Sequence, residues 1–194
     1  MPIPSHPAGA AMLLAAMLAC SGAAAAADRS PAETGARQPT MELERSLGRS
    51  LPGVRQPRPG LVTGGQPAPE AWPALAARGV RTVINLRTPA EMAGRDEARE
   101  VAAAGMRYHA LPVAGAGDLD ERRAAALWRL IESAPGTVAV HCASGNRVGA
   151  LLALAAAEHG GMDAEAALRF GKSAGLGGLE ATVRERLGLA PESE

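Results

Sequence analysis

The chain has 194 residues, with 20 Lys plus Arg against 20 Asp plus Glu and a formal net charge of +0 at pH 7. That length accommodates one domain with a substantial core and some non-globular sequence besides. Balanced charge provides no field to recruit nucleic acid or anionic lipid, and two Trp, one Tyr and one Phe leave little surface for base stacking, which argues against nucleic acid as a partner.

Residues 10–19, AAMLLAAMLA, form an apolar segment too short to span a bilayer, and the GAAAAAD that follows offers a small-residue cleavage pattern after Ala27. Residues 1–27 are therefore expected to be a signal peptide, with the mature chain starting near Asp28 in an exported, periplasmic protein. The segment MPIPSHPAGA contains no Lys or Arg, so its positive charge comes only from the amino terminus and His6. Met17-Leu18-Ala19-Cys20 offers the alternative of a lipoprotein anchored at Cys20. No membrane span is expected. Residues 28–57 mix Pro, Gly, Ser and charge without sustained periodicity and read as a flexible linker, with one short helical turn at MELERSL.

From residue 58 to about 190 the pattern is that of a domain. LVT at 61–63 predicts a short strand, GGQP a turn, and PEAWPALAARG a helix from about Pro69 to Gly79, with Pro73 in its first turn. RTVINLR at 81–87 is a strand, EMAGRDEAREVAAAG a second helix ending at Gly105, and MRYHALPV a third strand. DLDERRAAALWRLIESAPG is a helix with Leu119, Leu127, Leu130 and Ile131 as core candidates and Asp120 as its N-cap. TVAVH is the next strand, followed by helices over about 147–158, 163–171 and 178–187. Strands alternating with helices over short connections imply an α/β fold with a parallel sheet flanked by helices.

With Cys20 removed or lipidated, Cys142 is the sole thiol of the domain. Free cysteine is most often a small buried hydrophobe, but the neighbours here point elsewhere. In TVAVHCASGNRVGALL the thiol follows a strand end, where ligands bind in such sheets. The backbone of Ala143, Ser144, Gly145 and Asn146, with the N-terminus of the next helix, can converge on one tetrahedral anion. Arg147 adds a bidentate fork, and this positive potential favours thiolate as a nucleophile.

HCASGNR resembles the signature loop of cysteine-based phosphatases, and GGQPAPEAWPALAARGVRTVINLRTPAE with GMRYHALPV is similar to the phosphatase-like family found beside or fused to beta-lactamase-like hydrolases in bacteria. The resemblance covers roughly residues 58–188. It implies a dual-specificity-phosphatase-like fold, phosphorylated proteins or small phosphoesters as substrates, no cofactor, and a thiol-phosphate intermediate. It also implies Cys142 as nucleophile, Arg147 as phosphate clamp, and His141 as a partner that orients the loop and supports the thiolate. Two departures stand out. Four residues separate Cys142 from Arg147 where the usual loop has five. Val148 stands where phosphatases commonly carry a Ser or Thr that assists breakdown of the intermediate; Ser144 is the hydroxyl within the loop.

By the same resemblance a general acid is expected on a loop after an earlier strand. In PVAGAGDLDE, Asp118 is the acid candidate, since Asp120 is better used as a cap. Arg87 and Glu91 are expected to form an ion pair bracing the cysteine loop. His109 lies within a strand with no second ligand at metal-binding spacing, and GKS at 171–173 lacks the glycine and the preceding strand of a nucleotide loop. Two other function classes fit a cysteine loop: a rhodanese-type sulfurtransferase, which also has four intervening residues, and an oxyanion-binding module without turnover.

The export reading is checked at the N-terminus. Mass spectrometry of protein recovered from the native host is expected to find a chain beginning near Asp28; an intact terminus removes the compartment assignment, and a lipidated Cys20 in the membrane fraction selects the alternative.

Overall fold

A computed structural model describes residues 45–191. The predicted signal segment and residues 28–44 of the predicted linker lie outside the described residues. Five strands form one sheet: β1 (Arg55–Arg58), β2 (Leu61–Gly64), β3 (Val80–Asn85), β4 (Arg107–Ala110) and β5 (Thr137–His141), in the spatial order β1-β2-β5-β3-β4. Pairings β2–β5, β5–β3 and β3–β4 are parallel, whereas β1 pairs with β2 antiparallel. The expectation of a parallel sheet therefore holds for four strands and is corrected at one edge. The two residues between β1 and β2, Pro59 and Gly60 (φ 77), permit only a hairpin, which forces the antiparallel pairing.

Residues 45–47 are helical ahead of β1, and the α-helices that follow the first two strands are α1 (Ala71–Ala77), α2 (Glu97–Ala103), α3 (Glu121–Ser133), α4 (Asn146–Glu158), α5 (Ala164–Ser173) and α6 (Glu180–Arg186). The parallel crossovers carry α1, α2 and α3, and α4, α5 and α6 follow β5. Because successive side chains on a strand point to opposite faces, β5 divides its residues between two cores. Val138, Val140 and the following Cys142 join the core built with Leu127, Ile131 and α4; Ala139 joins the other, with Trp72, Leu75 and Val101.

Sequence periodicity misplaced two boundaries. The linker was expected to run to residue 57, but Leu47, Leu51 and Val54 are buried in the core around Trp72, so packed structure begins ahead of β1. Alternation was hidden there by the Pro and Gly residues that turn the chain between these anchors. The single helix expected over EMAGRDEAREVAAAG is instead a 3-10 turn (Ala90–Met92) followed by α2. Gly94 takes a positive φ of 83°, and Asp96 restarts the helix as its N-cap by accepting from the Arg99 N–H. Asp120 caps α3 in the same way, accepting from the Arg123 N–H as expected.

α4 is buried from Val148 to Ala156. It is central because its small residues let α5 come close. A Cβ built on Gly149 would lie 2.1 Å from the Leu176 nitrogen and 2.6 Å from the Gly171 carbonyl oxygen. Gly171 in turn approaches Ala153, with 2.7 Å between its ideal Cβ and that of the alanine. This contact seats the loop after α5 on the start of α4. Gly149→Ala is expected to cost at least the upper part of the ~1–3 kcal/mol typical of overpacking, because the clashing atoms are backbone. Urea denaturation at neutral pH measures it; a change within ~0.5 kcal/mol would contradict this packing.

Candidate active site

Cys142 follows the last residue of β5, the third of the five strands, at the carboxyl end of the sheet. The loop from Ala143 to Gly145 then turns directly into α4. Gly145 adopts φ 94°, a left-handed conformation that suits glycine and leads the chain into α4, and its N–H donates to the Cys142 Sγ at 3.1 Å. The first N–H groups of α4 have no intrahelical acceptor and lie at its positive end. Cys142 is 1% exposed, and the Gly145 backbone donor is aimed at its sulfur.

The loop is held from outside by the segment after β2. Gly65 and Ser144 form an isolated antiparallel bridge, and the Gln66 N–H donates to the Ala143 carbonyl at 3.2 Å. A side chain at Gly65 would meet that same carbonyl at 2.8 Å, so the glycine allows the approach. Asn146 directs its side chain away from the cradle: its Oδ1 accepts from the N–H groups of Gly177 and Leu179, at 2.9 and 3.3 Å. Of the expected anion-binding stretch Ala143, Ser144, Gly145 and Asn146, the last can therefore offer only its backbone.

Arg147, in the first turn of α4, makes an end-on bidentate pair with Glu91: Nη1 to Oε2 at 2.8 Å and Nη2 to Oε1 at 2.6 Å. Nη1 also donates to the Val113 carbonyl at 2.6 Å. These bonds use the end of the guanidinium and one flank. The Nε–H and the second Nη2–H, which lie parallel on the other edge, are the pair that matches two oxygens of a tetrahedral anion. Glu91 favours the charged guanidinium most, with Cys142 adding to it against the opposing effect of burial. Conversely, the Arg147 guanidinium, helped by the Thr88 N–H, holds the Glu91 carboxyl far below the usual carboxylate range.

The expected Arg87–Glu91 pair is present at 3.5 Å, but the closer partner of Glu91 is Arg147. His141 departs from its expected role beside the thiolate. Adjacent strand residues face opposite ways, so its ring lies on the other side of the sheet from the sulfur, 6.1 Å from the Trp72 ring, and its Nε2 meets Glu97 Oε1 at 2.8 Å. It can orient the loop through the backbone but does not touch Sγ. The Asp118 carboxylate accepts from the Ala114 N–H at 2.7 Å and pairs with Arg123 at 3.0 Å. Its described contacts include none with the cysteine loop; the Arg147–Val113 bond is what ties its segment to the site.

Sequence reasoning missed Glu97 and Gln66. Glu97 is 2% exposed and bonds to His141, to Gln66 Nε2 at 2.5 Å, and lies 4.0 Å from Arg95. Its i, i+4 spacing to buried Val101 is the signal that would have placed it inside.

A cysteine loop closing on an arginine at the carboxyl end of a central parallel strand, with helices on both faces of the sheet, defines a phosphatase-like domain with the fold of protein tyrosine phosphatases. The chain belongs to the phosphatase-like domain family of beta-lactamase hydrolase-like proteins, whose family model matches residues 55–159. It is 34% identical over 120 residues to the beta-lactamase hydrolase-like protein of Xylella fastidiosa (strain Temecula1), an alignment covering 60% of this chain and 28% of that protein. The match thus takes in less than a third of the relative's length. A solved structure of a protein assigned as a phosphatase from Neisseria meningitidis Z2491 is similar at 25% identity and a TM-score of 0.59, over 69% of this chain and 95% of that one. The active form of Tk-PTP shares the fold at 18% identity and a TM-score of 0.55, over 70% and 96% of the two chains.

The Glu91–Arg147 pair has a definite pH signature. A carboxyl held low in the folded state contributes stability that is fully present above its ordinary value of 4.5 and is lost as pH falls from there toward the lowered value. Glu91→Gln is expected to destabilise by about 1.5–3 kcal/mol at pH 7, the range for hydrogen bonds to charged groups. The gap from wild type should narrow in denaturation curves taken near pH 3. A gap independent of pH would contradict the pairing.

Proposed function

We propose that this domain is a cysteine-dependent phosphatase that hydrolyses phosphoesters through a thiol-phosphate intermediate. The observation that carries the reading is the Gly145 N–H directed at the Cys142 sulfur, with the Arg147 guanidinium, held end-on by Glu91, also interacting with that sulfur. In the first step the Cys142 thiolate forms a bond to phosphorus, the bond from phosphorus to the ester oxygen breaks, and the departing alcohol takes a proton from a general acid. Loop amides and Arg147 carry the negative charge that gathers on the three non-bridging oxygens. In the second step water attacks phosphorus and passes a proton to the conjugate base of that acid, the phosphorus–sulfur bond breaks, the thiolate and the acid are regenerated, and inorganic phosphate is released. Asp118 is assigned the acid role, which requires its carboxyl to leave Arg123 and turn toward the leaving oxygen. Every role falls to a side chain or a backbone amide, so the reaction calls for no cofactor. The substrate is a phosphorylated protein or a small phosphoester, met in the periplasm if the N-terminal segment acts as a signal.

One observation favours an oxyanion-binding module instead. Val148 is fully buried in the core with Cys142 and cannot supply the hydroxyl that would help release the phosphoryl group. The four-residue loop keeps the sulfurtransferase reading in the test as well.

An aryl phosphate and thiosulfate offered to wild type, Cys142→Ser and Asp118→Asn separate the three. Phosphate release that is abolished by Cys142→Ser while inorganic phosphate still binds is the expected result. Asp118→Asn should slow an alkyl phosphate by about 10²-fold or more and an aryl phosphate less, since a better leaving group needs less protonation. Thiosulfate turnover with a sulfur carried on Cys142 would overturn the proposal in favour of sulfur transfer. Binding of phosphate without turnover of either would leave the binding module, and a burst followed by slow release would point to Val148.

A further inference from the structure

We propose that Gln66 is a positioning residue whose side-chain amide couples the arginine clamp at one end of the cysteine loop to the histidine at the other; its consequence for oxyanion binding rests on the reading above. The loop is flanked by His141 and Arg147, whose side chains lie on opposite sides of the sheet and do not meet. A continuous run of polar contacts joins them around the loop. From Arg147 it passes to Glu91 at 2.6 Å, from Glu91 to Arg87 at 3.5 Å, and from the Arg87 Nη1 to the Gln66 Oε1 at 2.6 Å. From there it passes through the Gln66 Nε2 to Glu97 Oε2 at 2.5 Å, and from Glu97 Oε1 to the His141 Nε2 at 2.8 Å.

Gln66 occupies the one position in this run that must accept from a cation and donate to an anion at once. A primary amide does both while remaining neutral, accepting at Oε1 and donating from Nε2. A carboxylate there would face Glu97 at hydrogen-bond distance in a buried setting, and an apolar side chain would leave Glu97 Oε2 with only the Arg95 guanidinium, 4.0 Å away. Gln66 also grips the loop itself, through its backbone N–H on the Ala143 carbonyl. One residue thus contacts the loop directly, His141 through Glu97, and Arg147 through the Arg87–Glu91 pair. A shift of its amide moves Arg147 and His141 together.

The inference is tested on the full chain with Gln66→Met, which keeps the side-chain length but neither hydrogen bond, and with Gln66→Glu, alone and combined with Glu97→Gln. Side-chain ¹⁵N NMR follows the Arg147 Nε–H and the His141 ring, and calorimetry follows binding of inorganic phosphate. Both resonances are expected to shift in Gln66→Met although neither residue touches position 66, with phosphate affinity down about tenfold, or about 1.4 kcal/mol. Gln66→Glu should lose at least as much. The combined variant, which restores one amide and one carboxylate to the relay in exchanged order, should recover most of it. Unchanged Arg147 and His141 resonances in a folded Gln66→Met protein would overturn the coupling, as would a combined variant no better than Gln66→Glu. Absence of phosphate binding by the wild type would instead overturn the oxyanion reading, and the resonances of Arg147 and His141 would still decide the coupling.

Discussion

A guanidinium cannot stand at the mouth of a packed core unless something holds both its charge and its direction. Arg147, with a side chain 12% exposed, has Glu91 across its end and the Val113 carbonyl on its flank. Removing Glu91 would leave a largely desolvated cation with one neutral acceptor, which is costly in a way that a surface ion pair is not. The pair also sets direction. Because the carboxylate takes the end of the guanidinium, the parallel donors on the side edge are left for the anion that the proposed reaction would bring to Cys142. The rest of the site can be understood as support for that arrangement.

Three loops supply the support, all at the carboxyl end of the sheet. The segment after β2 brings Gly65 and Gln66, the one after β3 brings Arg87 and Glu91, and the one after β4 brings Val113 and Asp118. Parallel strands place these loops side by side, whereas hairpins would have sent alternate ones to the opposite end. Packing closes the arrangement from the other direction. Gly149 and Gly171 let α5 and its following loop press on α4, and Asn146 ties that loop to the start of the helix. The α4 N-terminus is therefore fixed both by what lies beneath it and by what lies beside it.

The two unusual features of the loop bear on chemistry in different ways. Its shortness costs one backbone donor relative to the common phosphatase loop, yet the Gly145 amide still reaches the sulfur. Val148 is a matter of burial: it faces the core next to Cys142, where a hydroxyl would need a partner that the surrounding Leu and Ala side chains do not provide. A valine is what the packing of α4 favours at that position, whereas under the proposed mechanism a hydroxyl would have favoured rapid release of phosphate from sulfur.

Local sequence determined much of this protein. The alternation of strands and helices, the caps at Asp120 and the turn glycines, and the Cys-to-Arg loop at a strand end are written in short windows, because each depends on backbone preference or on neighbours a few residues apart. The positions that needed the tertiary structure are those whose partners are distant in the chain. Glu97 reads as one more exposed helix acid until His141, 44 residues away, is seen to bury it. Gln66 reads as a turn residue until Arg87 and Glu97 meet on its two sides, and Leu47 and Leu51 as linker until Trp72 covers them. His141 shows the same division within one strand: the sequence places it next to Cys142, and the pleat turns it to the opposite face. Spacing along a chain determines which residues can be close, but only the packed fold decides which polar groups, once shut away from water, must satisfy one another.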